Sequence, residues 1–467
     1  MPRATDQHSI IGERHPEGAL RRLLGPVTIG CVGVGGAIGS GVFATPGEAA
    51  KHLQSPWILL SAWMLAGILT LLQTLVTAEL ATRFPRAGGE YQYLKEAYGP
   101  FAAFFFGWSF TIFIVGGGAG TIAAAFGTFA AELMRMNQRW APPALGCAAL
   151  ITVAAVNSIG LRTGAITQNL LTLLKTLALL AIAVGVWLAS GRLTPRPSGA
   201  AHWVAGEQPW LAYMLGLLQA FWAYTGATDP AKLAEEVKDV RRSLPLALVT
   251  SALALTFVYG VYNYALLCAA TPAEMAGRQS VPATIFQAAG WGRVNNLVLA
   301  ASALICLGAI SSVFLANVRV TYALARDGLS FHWLASMSRS QAPTASILVG
   351  AALACGFVAN RSFAEILQIY FLASTVLFGL SYASLVVFRL RDRRERRGQD
   401  PNVYRVPLGI PLAVTLVLVE LLIAAGILWS DYRDGSLDSL WTLALLAATA
   451  VFYGVWRRLP GGTRASV

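Results

Sequence analysis

The sequence predicts an all-α polytopic membrane protein with twelve transmembrane helices, on three observations: composition, apolar runs and the placement of charge. Of 467 residues, 56% are hydrophobic and 12% are charged, against about 25% charged in a soluble domain. The mean hydropathy of +0.58 agrees, and together these values argue against a soluble enzyme. Twelve apolar runs follow one another, at 26–46, 57–81, 101–131, 143–160, 166–190, 209–229, 244–270, 295–325, 342–359, 363–388, 408–429 and 437–456; a bilayer crossing needs about 20 such residues. With the N-terminus inside, the 35 Lys and Arg divide into 25 cytoplasmic, 9 external and one, Lys175, within the membrane. That asymmetry is the positive-inside signature, so the net charge of +12 reports topology rather than a nucleic-acid partner. The densest basic cluster, Arg389, Arg391, Arg393, Arg394, Arg396 and Arg397, falls between the tenth and eleventh runs, where it would also meet anionic lipid.

Taken in chain order, residues 1–25 are polar and carry Arg3, Arg14, Arg21 and Arg22. They lead into a long apolar run without a small-residue cleavage site, which reads as a cytoplasmic segment and not as a signal peptide. Runs one to five, 26–190, form a first unit and runs six to ten, 209–388, a second; 408–456 supplies two peripheral helices and 457–467 a cytoplasmic tail. The connections leave no room for a soluble domain, so the bundle must carry the function. The five cysteines, Cys31, Cys147, Cys268, Cys306 and Cys355, lie inside the runs without CxxC spacing, which gives no support to a disulfide framework or a metal site. No cofactor is expected.

Two runs break the rule that a membrane helix avoids glycine and proline in its interior. The first reads Gly33-Val34-Gly35-Gly36-Ala37-Ile38-Gly39-Ser40-Gly41, and the sixth Trp222-Ala223-Tyr224-Thr225-Gly226-Ala227-Thr228-Asp229-Pro230. Two interruptions five helices apart are the pattern of two inverted repeats whose broken helices form a midplane site. Backbone groups freed inside a bilayer are tolerated only where they line a cavity. The half-helix after Gly41 would present N–H groups to a carboxylate, and carbonyls near Ala37 and Ile38 would accept from an ammonium. Trp222, Ala223 and Thr225 repeat the second arrangement. A zwitterionic α-amino acid satisfies both ends.

These residues carry a resemblance. Gly36-Ala37-Ile38-Gly39-Ser40-Gly41-Val42-Phe43 resembles the first-helix signature of amino acid permeases in the amino acid–polyamine–organocation superfamily. Three further blocks agree in order: 78–91 after the second run, 233–242 after the sixth, and 319–328 ending the eighth. The resemblance implies a ten-helix core of two inverted repeats with broken helices 1 and 6, plus two peripheral helices. It also implies a substrate site at Ala37, Ser40 and Gly41 on helix 1 and at Trp222, Ala223 and Thr225 on helix 6; the interruptions themselves add Ile38, Gly39 and Gly226, with Asp229 as a further candidate. Trp222 takes the place of an aromatic gate, and Thr225 stands where several subfamilies have glycine.

Lys175 lies amid leucines on the fifth run, where a charge costs a few kcal/mol and has a partner or a task. By the resemblance it stands in for a sodium ion and bridges helix 1 to Ser311 or Ser312 on helix 8. Asp229 has two readings: it faces the substrate, or it caps the half-helix beginning at Pro230; the cap is favoured. Glu420 on the eleventh run reads as a helix-contact or oligomer residue before a proton carrier. Glu79, Arg83, Glu90, Glu235, Glu236, Arg319 and Arg326 sit at cytoplasmic helix ends, where ion pairs would close the inner mouth. The expectation is a secondary amino acid transporter working by alternating access, sodium-independent, by exchange or proton coupling. A polyamine or organic-cation carrier and an amino acid sensor are the alternatives. Thirty arginines against five lysines suggest a GC-rich bacterial genome, hence a bacterial inner membrane with both termini cytoplasmic. No obligatory protein partner is inferred.

Overall fold

A computed structural model describes residues 22–198, 203, 208–338, 341–395, 400–401 and 403–458. The N-terminal segment before Arg22, Arg396, Arg397 and the tail after Arg458 lie outside the described residues. The helices are α1 (Pro26–Ala37), α2 (Gly41–Ala50), α3 (Pro56–Arg83), α4 (Glu90–Tyr98), α5 (Pro100–Leu133), α6 (Ala141–Ile159), α7 (Leu161–Ser190) and α8 (Pro209–Tyr224). They continue with α9 (Val240–Ala269), α10 (Gly292–Ala316), α11 (Val318–Arg326), α12 (Thr344–Asn360), α13 (Phe363–Arg394), α14 (Gly409–Asp434) and α15 (Asp438–Trp456). Short helices at Pro272–Met275 and Val281–Ala288 fill the connection between α9 and α10.

Local chemistry sets these boundaries. Proline opens α1, α3, α5 and α8, where its missing N–H leaves no hydrogen bond unmade. Left-handed Gly191 and Gly435 end α7 and α14. A reciprocal box between Ser362 and Glu365 starts α13.

Ten helical stretches among the described residues are long and apolar enough to cross a membrane, α1 with α2 and α10 with α11 each counting as one. The remaining two of the twelve runs form shorter helices: α8 has 16 residues and α12 has 17. At about 1.5 Å per residue, α8 falls short of a hydrocarbon core of about 30 Å. It stops early because the chain breaks at Thr225.

Within α5 the turns over Phe110–Gly117 widen to a π-helix. The glycine run there serves close packing, as a Cβ on Gly116 would lie 2.9 Å from Cβ of Leu353 on α12, and one on Gly118 would lie 3.2 Å from the Tyr370 ring on α13. α1 lies against α7, α9 and α10, whereas α2 packs on α8, and α3 runs along α9. At the edge, α14 and α15 expose Leu418, Leu421, Leu422, Leu440 and Trp441, an apolar surface suited to lipid.

Candidate functional site

The site is built where the two interrupted helices meet. α1 stops at Ala37, Ile38 is extended (φ −69°, ψ 93°), and the helix resumes at Gly41. α8 stops at Tyr224, Thr225 is extended (φ −60°, ψ 132°), and Gly226 has φ +104°, a left-handed conformation that favours glycine. The two interruptions touch. A Cβ on Gly226 would lie 2.7 Å from the carbonyl carbon of Gly36, and one on Gly41 would lie 2.8 Å from Cα of Ala223.

A cavity at this junction is lined by Ala37, Gly39, Ser40, Gly41, Trp222, Thr225, Gly226 and Asp229. Ile38 and Ala223, expected at the same site, are fully buried and stand outside its lining. The Trp222 ring packs edge-on to Tyr370 and Phe371, with centroids 4.9 and 5.9 Å away. Buried at the start of α2, the Ser40 hydroxyl has no hydrogen-bond partner among the described residues. The first N–H groups of α2 have no intrahelical acceptor, and this helix end carries positive partial charge. The Ala223 carbonyl accepts from the Tyr259 hydroxyl at 2.8 Å, which takes up one of its two lone pairs. The break releases that carbonyl inside the bundle, and α9 supplies a donor.

The carbonyls of α1 are also held from outside the helix. Ser251 donates to Gly30 at 3.2 Å, Thr172 to Cys31 at 2.9 Å and Ser312 to Val32 at 3.3 Å. The Lys175 ammonium, almost fully buried, donates to the Gly35 carbonyl, one of those orphaned by the break. Lys175 also sits beside α10, where a Cβ on Gly308 would lie 3.5 Å from its Nζ. The route to α10 runs past Gly308 and not through the two serines, since Ser312 serves α1 and Ser311 pairs with Asn157 at 3.1 Å.

Asp229 does not act as the expected cap. It is the first residue of the 3-10 turn Asp229–Glu236, and its carboxylate binds Lys232 Nζ at 2.9 Å and Asn317 Nδ2 at 3.3 Å. In a 3-10 turn residues i and i+3 eclipse, which sets Lys232 against Asp229. Lys232 also reaches Glu90 at 3.3 Å, and all three side chains are buried. Burial raises the Glu90 carboxyl above its ordinary value of 4.5, a rise that Lys232 only partly offsets. For Lys232 itself burial would lower the value, but Asp229 and Glu90 outweigh it and hold the ammonium above its ordinary 10.5.

The expected gating charges are all paired. Arg319 binds Glu236 at 2.9 Å and Arg326 binds Glu235 at 3.1 Å, both joining α11 to the 3-10 turn. Glu79 binds Arg389 at 2.6 Å and Arg83 pairs with Asp392, both joining α3 to α13.

The sequence profile of the amino acid permease family matches residues 24–452. The chain belongs to this family. It is 27% identical over 448 residues to the b(0,+)-type amino acid transporter 1 of Mus musculus, an alignment covering 93% of this chain and 88% of that protein. It is 29% identical over 459 residues to the Asc-type amino acid transporter 1 of Mus musculus, covering 95% and 83%. With the serine/threonine exchanger SteT of Bacillus subtilis it shares 26% identity over 437 residues, covering 91% and 94%. The protein is therefore a multi-pass membrane transporter of the amino acid permease family, and not an enzyme.

Three ion-pair partners in this permease escaped the sequence argument. Lys232 carried a signal, its three-residue spacing from Asp229, whereas Arg389 and Asp392 were hidden in a basic stretch that reads as topology. Glu420, which the sequence reads as a helix-contact or oligomer residue, does contact a neighbouring helix through Gln73 on α3 at 3.3 Å, and it also lines the cavity with Gln73 and Tyr382.

Proposed function

We propose that this permease is a sodium-independent amino acid exchanger that works by alternating access, its substrate held between the breaks of α1 and α8. The reading takes all twelve runs as crossings, in two inverted five-helix repeats at 26–190 and 209–388 with 408–456 peripheral. It places the protein in a bacterial inner membrane with both termini cytoplasmic. The observation that carries it is the buried, unpartnered Ser40 hydroxyl at the positive start of α2, opposite the second break. Ser40 and the N–H groups around Gly41 receive the carboxylate, carbonyls near Ala37, Ile38 and Thr225 receive the ammonium, and Trp222 covers the substrate. Lys175 provides the positive charge between α1 and α10 that a sodium ion would otherwise bring. The pairs Glu236–Arg319 and Glu235–Arg326 close the arginine-rich end and open when the bundle rocks. A relative whose printed name is an exchanger supports exchange over net uptake.

Proteoliposomes preloaded with an amino acid test this. Tracer uptake should require an internal amino acid and persist when choline replaces sodium. Binding without flux would favour a sensor, and tight binding of amines that lack a carboxylate would favour a polyamine carrier.

A further inference from the structure

The exchanger reading leaves the substrate side chain open, and the charges in the cavity wall bear on it. Two carboxylates stand there, Asp229 and Glu420. Asp229 has its counter-charge within the protein, Lys232 at 2.9 Å. Glu420 is as deeply buried, at 4% exposure, yet among the described residues it has no cationic partner; its hydrogen bond comes from the neutral Gln73 amide at 3.3 Å. The placement is a built one. Glu420 and Ile423, one turn apart on α14, both face the cavity. Opposite them on α13, a Cβ built on Gly379 would lie 3.7 Å from Cβ of Glu420, an ordinary packing distance that sets α13 beside this part of α14.

A buried carboxylate without a cation is costly, and an acid inside the membrane marks a substrate or ion path by default. We propose that Glu420 recognises the cationic side chain of the substrate, which makes basic amino acids such as lysine, ornithine and arginine the preferred cargo. This rests on the exchanger reading. Glu420 shares one cavity with Ser40 and Trp222, so a substrate docked at the breaks meets it, whereas a proton carrier needs no place in that wall. The rings of Phe378 and Tyr382 in the same lining give the aliphatic stem an apolar surface and the cation a π face. Asp229, neutralised by Lys232, positions the 3-10 turn and takes no part in this selection.

The test is a competition panel in proteoliposomes, with lysine, ornithine, arginine, alanine and serine against the wild type, Glu420→Gln and Glu420→Asp. Glu420→Gln should weaken the basic substrates by about 10- to 100-fold, the worth of one charged hydrogen bond, and leave alanine and serine unchanged. Glu420→Asp, which keeps the charge, should retain a preference for basic substrates, and it serves if the glutamine variant folds poorly. Equal weakening of basic and neutral substrates, or loss of pH dependence for all of them, would overturn the proposal and make Glu420 a structural or proton-carrying group. A wild type that binds neutral amino acids and ignores basic ones would overturn it too, with the exchanger reading intact. If the wild type binds no amino acid, it is the exchanger reading that fails.

Discussion

Lys232 Nζ lies 2.9 Å from Oδ1 of Asp229 and 3.3 Å from Oε1 of Glu90, one ammonium shared by two carboxylates out of contact with water. Removing the lysine would strand both acids in a low-dielectric interior. Lys232→Met is expected to destabilise the fold by about 3–5 kcal/mol, the cost of breaking a buried pair from one side. The double change Lys232→Met with Asp229→Asn should recover most of it. Thermal unfolding in detergent reads this, and an unchanged transition in the single variant would count against the buried triad.

The pH dependence follows from Glu90. Its folded-state value is raised above the ordinary 4.5, so the folded protein binds this proton more tightly than the unfolded chain does. The stabilisation is full below pH 4.5 and is lost as pH rises through the folded value. Glu90→Gln, which keeps the neutral form, should raise stability at neutral pH and flatten the profile on the alkaline side of that window. A steeper profile in the variant would reverse the assigned sign.

At the first break two substitutions should separate. Ser40→Ala removes a hydroxyl with no partner among the described residues and should leave the melting temperature unchanged. It should weaken substrate binding by about 1–3 kcal/mol, as expected for a hydrogen bond to a carboxylate. Gly41→Val places a Cβ 2.8 Å from both Cα of Ala223 and Cδ1 of Trp222, so stability and binding should fall together. Wild-type affinity in Ser40→Ala would remove this hydroxyl from the carboxylate site.

Lys175 is expected to make sodium unnecessary, because two cations at the break of α1 would repel each other. Transport should be equal in sodium and choline. Lys175→Ala leaves the buried Gly35 carbonyl without its donor, a loss of about 1–3 kcal/mol that should appear as lower thermal stability and slower exchange. A strict sodium requirement in the wild type would refute the role.

The fold was legible where one residue type repeats. Apolar runs and glycine-serine interruptions announce helices and breaks, so all the runs recur as helices and the breaks fall at Ile38 and Thr225. Length was less legible, as with α8: the run 209–229 takes in the small residues Thr225, Gly226 and Ala227, which do not by themselves mark where the helix ends. Partners were least legible. The sequence shows Arg389 among arginines and Glu79 a long way before it, and only the packing of α3 on α13 brings them to 2.6 Å. A serine bonds whichever carbonyl its own rotamer reaches, and for Ser312 that is Val32.

The hydrogen bonds that Thr172, Lys175, Ser251 and Ser312 make to carbonyls of α1 divide the broken helix into unequal halves. The first half is fastened to three neighbouring helices, α7, α9 and α10. The second half is pressed onto α8 at Gly41 and onto the Met275 and Arg278 carbonyls at Gly47. Neither half can travel alone, and the residues between them, Ile38 to Ser40, are the natural pivot. The first half is thereby tied to a scaffold of three helices and the second to the Met275–Arg278 loop, so any displacement of one against the other falls on the stretch that holds Gly39 and Ser40 in the cavity lining.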